Sequence, residues 1–391
     1  MPAEIPPWGS RQGLTSSGET ALPPIFFVHI SKTGGSSLAA ALRIYWDPGD
    51  VLTGPLITTE FVQQVEPALD RPVLLHGHPG PGVLSRIPER MRLVTVLRRP
   101  ADHAVSNYLH IGSRPDHPLH GQAAELGLGP FLRRHWPQAV VQTTSLLSAL
   151  SAKAVHTPAD VASRFAEAAT LLDRCFFVGV LEQPKALARN LSDRLGLPLP
   201  FVLPRLNSAP ERANTDRRIA DLGTEYELLR ADDLVGPLIA VEEALYSKAL
   251  ALCAPEARSR RSAGTLWIPA NRFSAGEHAR LEGGAWRVRL DGRGHVIWGP
   301  YLWPPAGRYV GEFAWSFQGP KRRRGGGALR FEVVSRADRC LAFQHWRGGD
   351  DIKIELDFDH AHPDEPIEFR VAGDGLAGDG LQFEGVQLRA Q

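Results

Sequence analysis

The hydrophobic positions of the chain first form an unbroken run over residues 25–30, with the sequence Ile-Phe-Phe-Val-His-Ile. A run of this length is typical of a strand that is buried on both faces inside a parallel sheet. A turn with two glycines follows, and apolar residues then recur at the spacing of one helix face, at Leu38, Ala41, Leu42 and Tyr45. The pattern therefore predicts a strand, a tight loop and a helix, in that order.

Three further strand-length apolar runs cover residues 73–75, 93–97 and 176–180. Helical spacing follows the second run, where Pro100 suits a first helical turn, and the third run, where leucines repeat every fourth residue. Other helices are predicted over about 138–151, 158–174 and 215–252. Strands that alternate with helices predict an α/β fold, in which a parallel sheet carries helices on both faces.

The pattern changes near residue 255, where the helical spacing stops. Apolar and polar residues then alternate in short segments, over residues 286–290, 353–358 and 367–371. Such strands, separated by Gly, Pro and Asp, predict an antiparallel β-sandwich. We therefore predict a flexible N-terminal segment (1–24), an α/β domain (25–254) and a β-sandwich domain (255–391).

Six of the nine tryptophans lie in the predicted sandwich domain, at Trp267, Trp286, Trp298, Trp303, Trp315 and Trp346. The first hypothesis is that most of them build the core of the sandwich. The alternative is that some of them form platforms on which sugar rings stack, which would make the domain carbohydrate-binding.

The charges of the chain nearly cancel, with 44 Lys and Arg against 43 Asp and Glu in 391 residues. A net charge of +1 does not predict a surface that coats nucleic acid, so any anion must be held by a local site. The dense basic run from Lys321 to Arg324 is interpreted as a solvated turn, with contact to a polyanionic glycan as the alternative. Three separated cysteines (Cys175, Cys253 and Cys340) predict neither a disulfide framework nor a zinc site.

The first 24 residues contain no apolar core of the kind found in signal peptides, and no 18 apolar residues run together anywhere. We therefore expect a cytoplasmic protein without an integral membrane segment. The patterns leave the oligomeric state open.

Polar clusters follow three of the predicted strands: residues 32–37, His76 with His78, and Arg98. In open parallel sheets the ligand binds beyond the carboxyl ends of the strands. The first cluster is the most specific and consists of Lys32, Thr33, Gly34, Gly35, Ser36 and Ser37. Its glycines let the backbone approach an anion, the helix N-terminus directs N–H groups toward it, and the hydroxyl groups add donors.

The loop differs from a Walker A loop, because Lys32 precedes the glycines instead of following them. This order disfavours a nucleoside triphosphate kinase. Residues 27–38 instead resemble the 5′-phosphosulfate loop of the carbohydrate sulfotransferases that use 3′-phosphoadenosine 5′-phosphosulfate (PAPS). Ser31 departs from the proline that this family commonly has there, which should alter the stiffness of the loop more than its ligand chemistry.

A second stretch carries the same resemblance. Residues 95–100 (Thr-Val-Leu-Arg-Arg-Pro), followed by Ser106 and Tyr108, look like the family's 3′-phosphate motif. The resemblance implies that Arg98 forms a charge-assisted contact with the 3′-phosphate and that Ser106 donates its hydroxyl. Taken alone, the stretch is equally consistent with a strand that ends in a solvated arginine.

The stretch His76-Gly77-His78 has two interpretations from its residues alone. Histidines are often structural, and a pair two residues apart also suits a metal ion, although no third ligand of matching spacing is evident. The pair resembles the two histidines of the heparan sulfate 2-O-sulfotransferase branch. The resemblance implies that His78 is the catalytic base and that His76 supports it or contacts the acceptor, without a metal.

Over residues 25–252 the resemblance implies a P-loop-like sulfotransferase fold. It implies an enzyme that transfers a sulfuryl group from PAPS to a hydroxyl of a polysaccharide, oligosaccharide or glycolipid, with Lys32 stabilising the leaving group. Two alternatives stay open: a glycan-binding or scaffold protein with a degenerate sulfotransferase domain, and a P-loop phosphotransferase.

Three further residues are weaker candidates. Asn207 and Arg212 lie in a loop of the kind that closes over a cofactor, although a plain loop is the simpler interpretation. Glu182 follows the fourth predicted strand, where it either faces the ligand or caps the next helix.

Overall fold

The structure is a computed structural model. It describes residues 22–204, 212–253, 264–277, 279–317, 328–335, 339–347 and 353–391. Most of the predicted N-terminal segment, the basic run from Lys321 to Arg324 and Asn207 lie outside these ranges. In the described part of the chain, no helix is long and apolar enough to cross a membrane.

A five-stranded parallel sheet forms the centre of the N-terminal part. Its strands are β1 (Ile25–Val28), β2 (Val51–Ile57), β3 (Leu74–Pro79), β4 (Arg92–Leu97) and β5 (Phe177–Val180). The order across the sheet is β2-β3-β1-β4-β5, and every neighbouring pair is parallel. The four predicted strands are confirmed, and β1 lies between β3 and β4.

In the described ranges the α-helices that accompany the sheet are α1 (Gly35–Leu42), α2 (Thr59–Val65), α3 (Pro100–Gly112), α4 (His120–Glu125), α5 (Leu128–Arg134), α6 (Val141–Leu150), α7 (Pro158–Arg174), α8 (Pro184–Leu195), α9 (Arg212–Leu228) and α10 (Gly236–Leu252). Alternate residues of β1 belong to two different cores. Phe27 packs with Leu38 of α1 and Leu191 of α8. Phe26 packs with side chains of α6, α7 and α10. Helices therefore cover both faces of the sheet, as predicted.

Strand β2 was not predicted. Its sequence contains Gly54 and Pro55, which read as turn residues, and the register of its pairing with β3 shifts between Gly54 and Leu56. Proline has no N–H to donate to a sheet, so it is tolerated at edges and bulges. Because β2 is an edge strand, it accommodates both residues.

The C-terminal part is antiparallel. Its strands are β6 (Thr265–Pro269), β7 (Ser274–Ala275), β8 (Ala279–Glu282), β9 (Ala285–Leu302), β10 (Gly307–Phe317), β11 (Ala328–Ser335), β12 (Arg339–Trp346), β13 (Ile354–His360) and β14 (Ile367–Ala390). Phe313 of β10 meets Phe331 of β11 and Phe369 of β14 with ring centres 5.3 and 5.8 Å apart. Two layers therefore enclose one core, and the predicted antiparallel β-sandwich is confirmed as a sandwich-like unit.

The tryptophans of this unit divide between the core and the surface. Trp346 is buried in the core, and Trp286 and Trp315 are half-buried against it. Trp267, in contrast, is 46% exposed. The core hypothesis therefore holds for some of the tryptophans, and the exposed Trp267 keeps the alternative open.

The short 3-10 helix that follows α1, Arg43–Tyr45, contacts the sandwich core cluster. The Tyr45 hydroxyl donates a hydrogen bond of 2.8 Å to the carbonyl oxygen of Leu199, a member of the sandwich core cluster. The Val202 N–H donates to the Trp303 carbonyl at 2.7 Å. The two parts thus share packed contacts in addition to the covalent connection.

Candidate functional site

The three predicted polar clusters come together toward the carboxyl ends of the parallel strands. They belong to β3, β1 and β4, which are adjacent strands. The chain leaves β1 toward β2 on one side and leaves the neighbouring β4 toward β5 on the other. The position between β1 and β4 is therefore the topological switch point, where such sheets bind ligands. His76 and His78 lie inside β3 itself, because its pairing with β2 continues to Pro79.

Residues 31–34 form a turn that opens directly into α1, whose first turn contains residues 35–37. Gly34 has a φ of 81°, and a Cβ atom there would lie 2.6 Å from the side chain of Leu181. The first hydrogen bond of the helix runs from the Leu38 N–H to the Gly34 carbonyl at 3.1 Å. Among the described residues, the N–H groups of residues 35–37 have no backbone acceptor outside the helix. The first N–H groups of a helix can bind an anion in this way.

The hydroxyl groups of the loop do not share one role. The Thr33 hydroxyl donates to the Ile30 carbonyl at 2.8 Å and is buried, so it stabilises the turn. Ser36 is exposed and Ser37 is nearly buried in the first turn of α1. The expected contact of Thr33 with a ligand stays a prediction, and in this conformation the hydroxyl proton is given to the Ile30 carbonyl.

Arg98 lies against the same loop. Its Nη1 atom donates a hydrogen bond of 3.3 Å to the carbonyl oxygen of Lys32. The pKa of Lys32 is lowered by burial and, secondarily, by the charge of Arg98. Burial also lowers the pKa of Arg98, against the opposing effect of Asp102 and Glu182. Neither cation has an ion-pair partner within the described ranges. Two partly buried positive charges without a paired carboxylate favour the binding of an anion.

The backbone of Arg98 is held by a buried polar chain. Gln142 of α6 accepts from the Arg98 N–H at 2.8 Å and donates to its carbonyl at 2.9 Å. The same Gln142 amide donates to Glu242 of α10 at 3.1 Å. Burial raises the pKa of Glu242 to about 7. The orientation of Arg98 thus depends on two helices that lie outside the sequence motif.

Glu182 holds the neighbouring residue. One of its carboxylate oxygens accepts from the Arg99 N–H at 2.9 Å, and the other accepts from the Tyr246 hydroxyl at 2.9 Å. It therefore ties the end of β4 to α10. From the sequence, we expect Glu182 either to face the ligand or to cap α8. Neither expectation includes this role, because its partner Arg99 lies 83 positions away.

Three histidines form a stack across β1 and β3. His29 lies between His76 and His78, with ring centres 5.1 and 4.5 Å away. The carbonyl oxygen of His29 accepts a hydrogen bond from Nδ1 of His78 at 2.7 Å. A carbonyl can only accept, so Nδ1 of His78 carries the proton, and in the neutral ring the lone pair is on Nε2. The geometry therefore leaves His78 with a free basic nitrogen.

The other two histidines of the stack stay neutral. The pKa of His29 is lowered to about 3, chiefly by burial and then by the charges of His78, His76 and Lys32. Burial, followed by His78, lowers the pKa of His76 to about 4. The Nε2 atom of His76 is buried without a hydrogen-bond partner among the described groups. In the stack, the His29 ring lies between the rings of His76 and His78.

Helix α3 contributes one more contact to the loop. His103 donates from Nε2 to the Ser31 carbonyl at 2.8 Å, and burial lowers its pKa to about 4. Ser106 is half-buried one turn further along the same helix. Burial and, secondarily, the charge of Lys32 lower the pKa of His110. This face of α3 is therefore on the same side of the sheet as Lys32.

Several of these residues carry signals that sequence reasoning did not use. His29 follows Phe27 on the same face of β1, and parallel pairing of Phe27 with His76 brings His29 beside His78. Gln142 and Glu242 are polar residues at buried positions of apolar helices. Of the candidate Arg212 only the backbone is described, as the first residue of α9. Over the described residues, no group of three His, Cys, Asp or Glu could hold a metal ion.

Comparisons with known proteins give no family. No family model matches the chain, and no curated protein matches it. Similar solved structures include TmCBM61 in complex with β-1,4-galactotriose, with 16% identity and a TM-score of 0.23 over 32% of this chain and 88% of that one. A carbohydrate-binding module of Cellvibrio mixtus lichenase 5A in complex with cellotriose has 16% identity and a TM-score of 0.23 over 32% and 97%.

A third similar structure is a family 35 carbohydrate-binding module from Clostridium thermocellum, with 10% identity and a TM-score of 0.24 over 33% of this chain and 99% of that one. All three are carbohydrate-binding modules, and none is a sulfotransferase. TM-scores this low do not establish a shared fold or a shared ligand.

Proposed function

We propose that this protein is a sulfotransferase that moves a sulfuryl group from PAPS to a hydroxyl of a carbohydrate. The observation that carries the proposal is the contact between Arg98 and the Lys32 carbonyl. It brings a guanidinium and a lysine to the N-terminus of one helix, without a carboxylate partner in the described part of the chain. Such a site suits a ligand with more than one anionic group.

The residues present fit a nucleotide that is phosphorylated at both ends. The free N–H groups of residues 35–37 would hold the 5′-phosphosulfate, with Lys32 beside them. Arg98 would bind the 3′-phosphate through its forked donors, and Ser106 would add a hydroxyl. Both roles follow the resemblance of the two motifs, and they remain proposals.

His78 would act as the general base. Its Nδ1–H is already given to the His29 carbonyl, so Nε2 would take the proton of the acceptor hydroxyl as that oxygen attacks sulfur. PAPS would supply the sulfuryl group, whose bond to the bridging phosphate oxygen breaks as the bond to the acceptor oxygen forms. Lys32 would neutralise the negative charge that grows on the departing bisphosphate. His76 would support the stack rather than contact the acceptor.

The sandwich would bind the carbohydrate acceptor. Large aromatic side chains are exposed on it at Trp267, Tyr301 and Phe343. These side chains also favour a second candidate, a glycan-binding protein whose N-terminal part has lost activity. A P-loop phosphotransferase fits less well, because Lys32 precedes the glycines. The cytoplasmic location stays a prediction.

Transfer of labelled sulfate from PAPS to a panel of oligosaccharides tests the proposal. We expect transfer by the unaltered chain, and at least about a hundredfold loss in Lys32→Ala and His78→Ala. The exposed residues Lys185 and His156 give matched controls, Lys185→Ala and His156→Ala, which should retain transfer. Carbohydrate binding without any transfer would favour the second candidate.

A further inference from the structure

One outer face of the sandwich has a distinct arrangement of charge. It is formed by β12, β11, the first half of β14 and the second half of β9, on the side opposite the core. The pairing places Phe343, Glu332, Arg370 and Trp298 in one row across these strands. We call this surface the donor face, made of Arg330, Glu332, Phe343, Glu368, Arg370 and His295.

The carboxylates of the donor face lie beneath its cations. The Arg330 side chain is 40% exposed and its partner Glu332 only 7%, with 2.8 Å between Nη2 and Oε2. His295 is 48% exposed and binds the same Glu332 at 3.3 Å. Arg370 is 15% exposed above Glu368 at 4%, with 2.6 Å between Nη2 and Oε2. Solvent therefore meets guanidinium and imidazole groups, while the acids fix their positions from below.

An aromatic ring lies beside these donors. Phe343 is 58% exposed, and the Arg330 guanidinium carbon lies 4.8 Å from its ring centre. His345 lies 5.6 Å away on the same strand. An exposed ring next to fixed guanidinium donors offers one surface for the C–H face of a sugar and another for its acidic substituents.

On the opposite outer face of the sandwich, the acidic side chains are not covered by the basic ones. There Arg389 and Glu355 form an ion pair whose side chains are 41% and 39% exposed. Lys353 binds Glu312, which is itself 27% exposed. Both signs of charge therefore reach solvent on that face, so the burial of acids is particular to the donor face.

We infer that the donor face binds an anionic carbohydrate chain, with a sugar ring on Phe343 and a carboxylate or sulfate on Arg330. Charge complementarity favours this occupant, because the accessible groups are cationic donors and the acids are covered. That this ligand is the acceptor or product of the enzyme rests on the proposed function. The inference adds the class of that acceptor, which is an anionic carbohydrate.

Calorimetry with the full chain tests the inference. The probes are a chondroitin sulfate hexasaccharide, an unsulfated chondroitin hexasaccharide, neutral cellohexaose and a short DNA duplex. We expect at least one of the two anionic sugars to bind, and about tenfold weaker binding in Phe343→Ala and in the double variant Arg330→Gln with Glu332→Gln. The double variant removes both charges and leaves no uncompensated buried carboxylate. Arg389→Gln with Glu355→Gln is the matched control and should bind as the unaltered chain does.

Several outcomes would overturn the inference. These are no binding of either anionic sugar, unchanged binding in both donor-face variants, and equal binding of cellohexaose or DNA. Adenosine 3′,5′-bisphosphate is titrated into the same samples. If the bisphosphate binds and the sugars do not, the inference about the donor face is overturned and the proposed function stands. If the sugars bind and the bisphosphate does not, the proposed function is overturned and the inference about the donor face stands.

Discussion

The guanidinium of Arg98 donates a hydrogen bond to the carbonyl oxygen of Lys32 across the ends of β1 and β4. Burial and, secondarily, the charge of Arg98 lower the pKa of Lys32. An anion bound between them would relieve this repulsion. The Arg98 backbone is held by the neutral Gln142 amide. Neither cation has an ion-pair partner in the described ranges, so both charges stay available to a ligand.

Replacing Arg98 by lysine keeps the charge and removes the forked donors. We expect Arg98→Lys to weaken the binding of adenosine 3′,5′-bisphosphate by about tenfold to a hundredfold, because a point charge replaces a bidentate contact. Calorimetric titration measures this directly. The neighbouring exposed Arg99 gives the control Arg99→Lys, which should bind normally, and equal affinities for both variants would contradict the role of Arg98.

Gly35 provides the space for the histidine stack. A Cβ atom at this position would lie 1.9 Å from Cδ2 of His29, so Gly35→Ala must displace the ring that contacts His78. We expect a loss of about 1–3 kcal/mol in the free energy of unfolding, together with loss of sulfuryl transfer. In the control Gly121→Ala nothing lies within 4 Å, so that variant should be neutral or slightly stabilised. A Gly35→Ala protein with normal stability and transfer would show that the stack is not required.

The buried Gln142 should act on nucleotide binding at a distance. Gln142→Leu has nearly the same volume and leaves the Arg98 N–H and carbonyl without their side-chain partner. We expect weaker binding of adenosine 3′,5′-bisphosphate and about 1–3 kcal/mol lower stability. The exposed Gln64 supplies the control Gln64→Leu. Lower stability with unchanged nucleotide affinity would limit Gln142 to a structural role.

Acid should destabilise the parallel-sheet part through its neutral histidines. His103 is buried and its pKa of about 4 lies below the ordinary value of 6.5, so below pH 6.5 the unfolded chain binds a proton that the folded chain does not. The stability from this residue is present above pH 6.5 and is lost as the pH falls toward 4, by about 3 kcal/mol. Unfolding by urea at pH 7 and pH 4 measures the loss. It should shrink in His103→Gln and not in the exposed His156→Gln, and an equal loss in both would contradict the assignment.

Much of the parallel sheet could be predicted because each buried strand is a continuous apolar run. Several helices followed from the regular spacing of apolar residues, as in α8, whereas the short helices α2, α4 and α5 were not predicted. Strand β2 could not be predicted, because Gly54 and Pro55 give turn signals that only its edge position explains. Local sequence does not state which strand lies at an edge.

The candidate site, too, could be predicted from the sequence only in part. Lys32 and Arg98 could be identified because each lies directly after a buried strand, and parallel strand ends meet at one edge. The roles of Gln142 and Glu182 depend on residues 44 and 83 positions away, and no local pattern encodes these contacts. The hydrogen bond from the Thr33 hydroxyl to the Ile30 carbonyl is local, yet the loop sequence alone does not show it.

The choice of nucleotide decides whether the cation pair serves sulfuryl transfer. Calorimetry of the unaltered chain with adenosine 3′,5′-bisphosphate, adenosine 5′-monophosphate and ATP compares the three ligands under one condition. We expect the bisphosphate to bind at least about tenfold more tightly than either of the others, because only it places one phosphate on the loop and another on Arg98. Binding of ATP that equals or exceeds that of the bisphosphate would contradict the proposed function.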